Sequence, residues 1–276
     1  MNYTEAKNDA IRLKVFCLPI TLRCNLKYKL CGAHSPYYKN PYHPTLNSIK
    51  RQIDALFDVV GFIDKFDIGG GEPFLRIDLP DIMNFLYQTY REQIGHLRII
   101  TNGTLMPLKG SADRDSFVQA AIIWNDDFNI IIDKYPVDAN KSEAVADYLH
   151  QYGVNSEVRD YTDDLHCGGW VDFGDLTLKY DDLGGKRMFE KCSVPRQGFF
   201  TSICDGKLFP CGRARILYER GFGTDYVNLA DETLNIEYKR NQLYELLFKG
   251  NPLKTCKYCN GMCDDSIRYK PAEQLT

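Results

Sequence analysis

The sequence has little of several features that mark common classes of protein. It has no excess of basic residues, since 34 Lys and Arg stand against 37 Asp and Glu, for a formal net charge of −3. A domain that binds nucleic acid usually carries a basic surface, so this balance argues against one. No apolar run approaches the roughly 20 residues that a membrane helix needs. We therefore expect neither nucleic acid nor a membrane among the partners.

The start of the chain also lacks the pattern of a secretory signal. Residues 1–9 carry charges of both signs and no apolar core, so we expect a cytoplasmic protein. Disulfides are rare in a reducing cytoplasm, and the ten cysteines need another explanation. Cys17 lies in an apolar stretch and is expected to be a small core residue, while Cys167 stands alone. The other eight are clustered, as is typical of metal ligands: Cys24, Cys31, Cys192, Cys204, Cys211, Cys256, Cys259 and Cys263.

Strand-like and helix-like stretches alternate through the first two thirds of the chain. Apolar periodicity predicts strands at 13–21, 65–68, 97–101, 128–133 and 154–159 and helices at 45–62, 79–92, 112–122 and 139–152. This alternation indicates a parallel sheet with right-handed crossovers. About five to six such units fit before residue 180, fewer than in a complete barrel. The predicted fold class is therefore α/β, with a partial (β/α)6 TIM-like barrel.

The pattern changes near residue 185. Short strand-like pieces follow, and Asp205-Gly206 between two of them is a hairpin signal. We predict a first domain at 1–184 and a small cysteine-rich domain at 185–276.

Three motifs follow the predicted ends of strands, where α/β proteins gather their functional loops. Glycines let a backbone approach a ligand closely, and a carboxylate can pair with an ammonium group. The motifs are Cys24-Asn25-Leu26-Lys27-Tyr28-Lys29-Leu30-Cys31, Gly69-Gly70-Gly71-Glu72-Pro73 and Ile100-Thr101-Asn102-Gly103-Thr104-Leu105.

Together these motifs resemble those of the radical S-adenosylmethionine (SAM) superfamily. The first loop of that family reads C-x3-C-x2-C with an apolar residue before the last cysteine, and only Tyr28 departs from it here. The resemblance implies a [4Fe–4S] cluster that binds SAM, with Cys24 and Cys31 as soft thiolate ligands. Arg159 is a further candidate for SAM, with Asp133 and Lys134 behind it. The implied cofactor-binding residues are Leu30, Gly70, Gly71, Glu72, Pro73, Asn102 and Arg159.

The C-terminal part resembles the SPASM/twitch-type auxiliary iron–sulfur domain of the same family. The resemblance implies an auxiliary [4Fe–4S] cluster with four protein ligands, which suits electron transfer. Cys204 or Cys263 could replace one ligand, and a structural zinc site is the alternative, because four cysteines also satisfy tetrahedral zinc. The implied ligands are Cys192, Cys211, Cys256 and Cys259.

The resemblance implies an oxidoreductase-like enzyme. A donor such as flavodoxin or ferredoxin would supply an electron, SAM would be cleaved, and the resulting 5′-deoxyadenosyl radical would abstract a hydrogen atom from the substrate. A sugar-like alcohol that is dehydrogenated or epimerised is one hypothesis for the substrate, and a peptide is another. Tyr28 is a hard oxygen ligand with an ordinary pKa near 10, so the SAM cluster site is expected to be incomplete. A non-catalytic protein that keeps only the auxiliary cluster is therefore an alternative.

Overall fold

The computed structural model describes residues 11–107, 111–162 and 168–275. The predictions made for residues 1–9 and for Cys167 lie outside these ranges. The strands are β1 Ile11–Thr21, β2 Val60–Gly70, β3 Ile94–Thr101, β4 Phe128–Lys134, β5 Ser156–Asp160, β6 Trp170–Val171, β7 Thr201–Cys204, β8 Lys207–Phe209, β9 Val227–Asn228 and β10 Arg268–Tyr269.

The centre is an eight-stranded sheet with the strand order β5-β4-β3-β2-β1-β7-β8-β9. Strands β1 to β5 and β7 run parallel, and β8 and β9 are added antiparallel. Strands β6 and β10 pair separately. The predicted α/β class with a mostly parallel sheet is confirmed.

Helices connect the consecutive parallel strands, as the alternating pattern predicted. Thr45 is the N-cap of the first of them, and its hydroxyl accepts a hydrogen bond from the N–H of Ser48 at 3.2 Å, which stabilises the first turn. None of the described helices is long and apolar enough to cross a membrane. The helices are α1 Leu46–Phe57, α2 Leu79–Tyr90, α3 Ser111–Ile122, α4 Ser142–Gln151, α5 Asp182–Lys191, α6 Ser193–Arg196, α7 Gly212–Glu219 and α8 Ile236–Phe248.

The two faces of the sheet differ in polarity. Phe16 and Phe66 belong to the buried core under helices α1 to α4. On the opposite face, Cys17 pairs in register with Asp67, and Asp67 with Arg98. The Asp67 carboxylate accepts hydrogen bonds from Arg98 Nε at 2.6 Å and Nη2 at 2.8 Å. Cys17 therefore lies outside the apolar core under the helices, contrary to the expectation, because the alternation of side chains along β1 places this half-buried residue on the polar face.

The cysteine-rich part contributes to the same sheet. Strand β7 pairs in parallel with β1, with Thr201 opposite Phe16. The hairpin predicted at Asp205-Gly206 is confirmed, since both residues have positive φ, 48° and 70°, as a type I′ turn requires. The described residues before 163 supply five parallel strands, and the sixth lies at the far side of β1. Residues after 185 therefore extend the first sheet.

Candidate functional site

The first two motif loops meet backbone to backbone at the carboxyl ends of β1 and β2. The N–H of Gly71 donates to the carbonyl oxygen of Thr21 at 2.6 Å, and the N–H of Glu72 donates to that of Arg23 at 2.9 Å. A Cβ atom on Gly70 would lie 2.1 Å from the oxygen of Thr21, and one on Gly71 would lie 2.1 Å from that of Arg23. Both positions therefore require glycine.

The Glu72 carboxylate connects the second motif to the third by hydrogen bonds. Its side chain has no solvent exposure. Oε1 accepts hydrogen bonds from Phe74 N at 3.0 Å and Thr101 Oγ1 at 2.8 Å, and Oε2 accepts one from Asn102 N at 2.9 Å. Burial raises the pKa of Glu72 to about 7, and these donors work in the opposite direction. Glu72 thus fixes the loop together with Pro73, which is buried in the 3₁₀ turn that follows. The predicted contact of Glu72 with SAM stays a prediction.

Asn102 connects the third motif to the first cysteine. Its Nδ2 lies 3.7 Å from Cys24 Sγ and donates to Asn25 Oδ1 at 3.0 Å. Asn25 Nδ2 donates in turn to Thr104 Oγ1 at 2.7 Å. Burial raises the pKa of the Cys24 thiol to about 11, and the hydrogen bond from Asn102 lowers it. The sequence did not single out Asn25 or Thr104, although each lies inside a motif.

Tyr28 fills the space beside both cysteines of the first loop. Its side chain is 6% exposed and packs edge-to-face on Tyr135 and Trp170, with ring centroids 5.3 and 5.1 Å away. Burial raises the pKa of the Tyr28 hydroxyl far above its usual value, and the charges of Cys24 and Cys31 raise it further. A phenol oxygen is also a hard ligand, unlike the soft thiolates that hold iron–sulfur clusters.

A distant segment holds this loop in place. The N–H of Lys29 donates to the carbonyl oxygen of Glu273 at 2.9 Å, and the N–H of Leu275 donates to that of Lys27 at 2.8 Å. Between these bonds, Tyr28 faces Gln274 in an antiparallel bridge. The spacing of the cysteines gave no sign of this pairing.

The remaining candidates for SAM contacts are spread over β4, β5 and the first loop. Arg159 is opposite Asp133 in the sheet register, and its Nε donates to Glu157 Oε1 at 3.2 Å. Asp133 Oδ1 is buried without a hydrogen-bond partner among the described residues. Burial raises the pKa of Asp133 to about 6, and the charge of Arg159 lowers it. Lys134 pairs instead with a carboxylate of α4, and Leu30 is half-buried.

Four C-terminal cysteines border one cavity of about 340 Å³, which Gly32 and Arg213 also line. The N–H groups of Gly261 and Met262 lie 3.3 Å from two of the sulfurs. Across the described ranges, no three Cys, His, Asp or Glu side chains close on a position for a single ion. The four cysteines are Cys192, Cys211, Cys256 and Cys259.

The two spare cysteines do not line this cavity. Cys204 is buried against Phe209, and its Sγ lies 3.9 Å from Glu219 Oε1. Cys263 Sγ lies 3.8 Å from Met188 Sδ. The predicted set of four therefore lines one cavity, while Cys263 lies beside it against Met188, which is a lining residue. The assignment of the cluster ligands stays a prediction.

The loop with the first cysteines contacts the cavity of the C-terminal cysteines. Gly32, which directly follows Cys31, lines the C-terminal cavity. Arg215 of α7 donates from Nη2 to the carbonyl oxygen of Ala33 at 3.1 Å. The loop that carries the first cysteines thus packs against the helix that follows Cys211.

Comparison with known proteins agrees with this geometry. The model of the radical SAM superfamily matches residues 18–158, just over half of the chain. The chain belongs to the radical SAM superfamily. An S-adenosylmethionine-dependent nucleotide dehydratase from Selenomonas ruminantium is 39% identical over 89 residues, which are 32% of this chain and 30% of the relative. GTP 3′,8-cyclase 1 of Mycobacterium tuberculosis is 38% identical over 129 residues, which are 42% of this chain and 34% of the relative. The matched part of this radical SAM protein thus spans about a third of the length of these relatives.

A solved structure resembles this radical SAM protein over nearly its whole length. The crystal structure of BtrN in complex with AdoMet and 2-DOIA has a TM-score of 0.55 to it and covers 97% of this chain and 100% of its own, at 16% identity. At this identity the likeness is one of fold, and it agrees with the mostly parallel α/β sheet.

Proposed function

We propose that this protein is a radical SAM enzyme that abstracts a hydrogen atom from a small-molecule substrate. The observation that carries the proposal is the meeting of Cys24, Glu72 and Asn102 at the carboxyl ends of three adjacent parallel strands. A [4Fe–4S] cluster and SAM, when bound, supply the one-electron chemistry. The chain supplies placement, because the hydrogen bonds among the three loops fix their relative positions.

The proposed SAM site uses the residues around these loops. Gly70 and Gly71 leave the backbone free to approach a ligand, while Glu72 and Pro73 determine the course of the loop. Arg159 offers a cation for the SAM carboxylate. Asn102 and Leu30 flank the cysteine pair, and Cys24 and Cys31 would hold the cluster.

We further infer that residues 185–276 form a SPASM/twitch-like part with an auxiliary [4Fe–4S] cluster. The single cavity lined by Cys192, Cys211, Cys256 and Cys259 supports this ligand set. Burial raises the pKa of the Cys211 thiol to about 12, and the N–H groups at the start of α7 lower it. Since thiols must lose their protons to bind metal, these N–H groups favour the ligating form.

The proposed substrate is a sugar-like alcohol that is dehydrogenated or epimerised, with flavodoxin or ferredoxin as the electron donor. The similar dehydratase and cyclase are named for nucleotide substrates, which supports a small molecule over a peptide. A peptide substrate remains an outcome of the test.

The test begins with anaerobic purification and determination of iron, sulfide and zinc. The protein is then incubated with SAM and dithionite, together with candidate sugars or peptides, and 5′-deoxyadenosine is measured. Sugar-stimulated formation of 5′-deoxyadenosine supports the proposal. Stimulation by peptides alone overturns the substrate class, and a colourless protein with one zinc per chain overturns both clusters.

The packing of Tyr28 favours a second candidate function, a non-catalytic protein that keeps only the auxiliary cluster. A buried phenol stands where the first loop of the family has its second cysteine. About four iron atoms per chain with no SAM cleavage would identify this candidate.

We predict that Glu72→Gln lowers the free energy of unfolding by about 1–3 kcal/mol, because the new amide N–H groups face a buried donor. SAM affinity should fall as well, because the loop loses its tie to Asn102. Chemical denaturation and calorimetry measure the two effects. Glu143→Gln is the matched control, since Glu143 is a largely exposed partner of Lys134 and should change stability by less than about 0.5 kcal/mol. Equal stability of both variants would contradict the role assigned to Glu72.

A further inference from the structure

Arg213 is a buried cation beside the C-terminal cysteines. It lies in the first turn of α7, two residues after Cys211, and is only 8% exposed. It lines the same cavity as the four cysteines. Burying a guanidinium is costly unless the charge is compensated, so its position needs an explanation.

The described contacts of Arg213 do not supply that compensation. Nη2 donates to the carbonyl oxygens of Phe173 at 3.2 Å and Gly174 at 2.8 Å, and both acceptors are neutral. Nε is buried and has no hydrogen-bond partner among the described residues. Arg215, on the same helix, differs because its Nη1 pairs with Glu219 at 2.8 Å.

The groups in this cavity that can compensate the charge of Arg213 are the cysteine sulfurs. Cys259 and the other three cysteines line the same cavity as Arg213. Both carbonyl partners of Arg213 accept from Nη2, so Nε is still without an acceptor among the described residues. A sulfur carrying negative charge is such an acceptor.

We propose that Arg213 is the counter-charge of the auxiliary cluster and raises its reduction potential by charge and by an N–H···S hydrogen bond. The inference rests on the auxiliary cluster of the proposed function. Four thiolates around a [4Fe–4S] core give an overall charge of −2, and uptake of one electron gives −3. The guanidinium of arginine carries a permanent positive charge, so its attraction to the cluster is stronger in the reduced state.

The test is a redox titration of the full-length chain carrying Cys24→Ser and Cys31→Ser, so that the first loop holds no cluster. Dithionite is the reductant, and electron paramagnetic resonance follows the reduced cluster. Arg213→Gln removes the charge, and at the midpoint potential of the parent it should lower the ratio of reduced to oxidised cluster about tenfold. For a one-electron couple this is a shift of about 59 mV. Arg213→Lys should stay close to the parent.

The matched control is Arg220→Gln, because Arg220 is an exposed residue at the end of the same helix and its Nη2 donates to the carbonyl oxygen of Tyr37. It should leave the potential unchanged. An Arg213→Gln potential equal to that of the parent, or an equal shift in Arg213→Lys, overturns the inference. If Arg213→Gln holds no iron, retention of iron by Arg213→Lys supports a role of the charge, and loss of iron in both variants overturns it. A parent without iron instead overturns the proposed function.

Discussion

Replacing Tyr28 by cysteine should raise the iron content by about four atoms per chain, the content of one [4Fe–4S] cluster, and should allow SAM to be cleaved. The substitution completes the set formed with Cys24 and Cys31 by a soft ligand. It also removes a ring that packs on Tyr135 and Trp170. The protein without metal should therefore lose on the order of 2–5 kcal/mol of stability, as other large-to-small core substitutions do. Iron analysis, 5′-deoxyadenosine assays and denaturation measure these effects.

Two control variants distinguish the effect of the new thiol from the effect of the cavity that the tyrosine ring leaves. Tyr28→Ser opens a similar hole without a thiol and should not gain iron. Tyr28→Phe keeps the aromatic packing and removes only the hydroxyl, so its iron content should equal that of the parent. Loss of iron in Tyr28→Phe would make the phenol a ligand. Full iron content and rapid SAM cleavage in the parent would show that the two cysteines suffice or that Tyr28 ligates iron.

Serine in place of Cys192, Cys211, Cys256 or Cys259 should in each case remove about four iron atoms per chain. The C-terminal part should also become less stable, because metal binding and folding are coupled in small metal domains. Iron per folded protein and thermal unfolding under anaerobic conditions measure the two effects.

Cys204→Ser and Cys263→Ser are the matched controls, since neither cysteine lines the cavity. Both variants should retain the iron. Loss of iron in Cys263→Ser, with retention in Cys192→Ser, would show that the ligand set has been assigned wrongly.

The features that sequence predicted well are those encoded locally. Apolar periodicity placed a strand at 13–21, where β1 spans Ile11–Thr21, and a helix at 79–92, where α2 spans Leu79–Tyr90. Parallel strands present their carboxyl ends at one edge, so the meeting of the motif loops followed from the alternation of strands and helices. The hairpin at Asp205-Gly206 could be predicted because its turn depends on two residues alone.

Pairing between distant segments could not be predicted from the sequence in the same way. Nothing in the local pattern of Thr201 or Phe16 indicates that they pair across the sheet. The error at Cys17 has the same origin, since its apolar neighbours along the chain say nothing of which face its thiol occupies. The rings around Tyr28 come from Tyr135 and Trp170, and their contact depends on tertiary packing that no spacing rule describes.

The pairing of the first cysteine loop with residues 273–275 has a consequence for biosynthesis. Lys29 and its partner Glu273 are 244 positions apart, and at ordinary rates of translation they leave the ribosome roughly 10–50 s apart. A nascent chain therefore displays Cys24 and Cys31 on a loop whose backbone partners have not yet been made. Iron delivered during that interval would meet a loop without its final shape, so we expect productive insertion of the cluster to follow synthesis of residues 273–275.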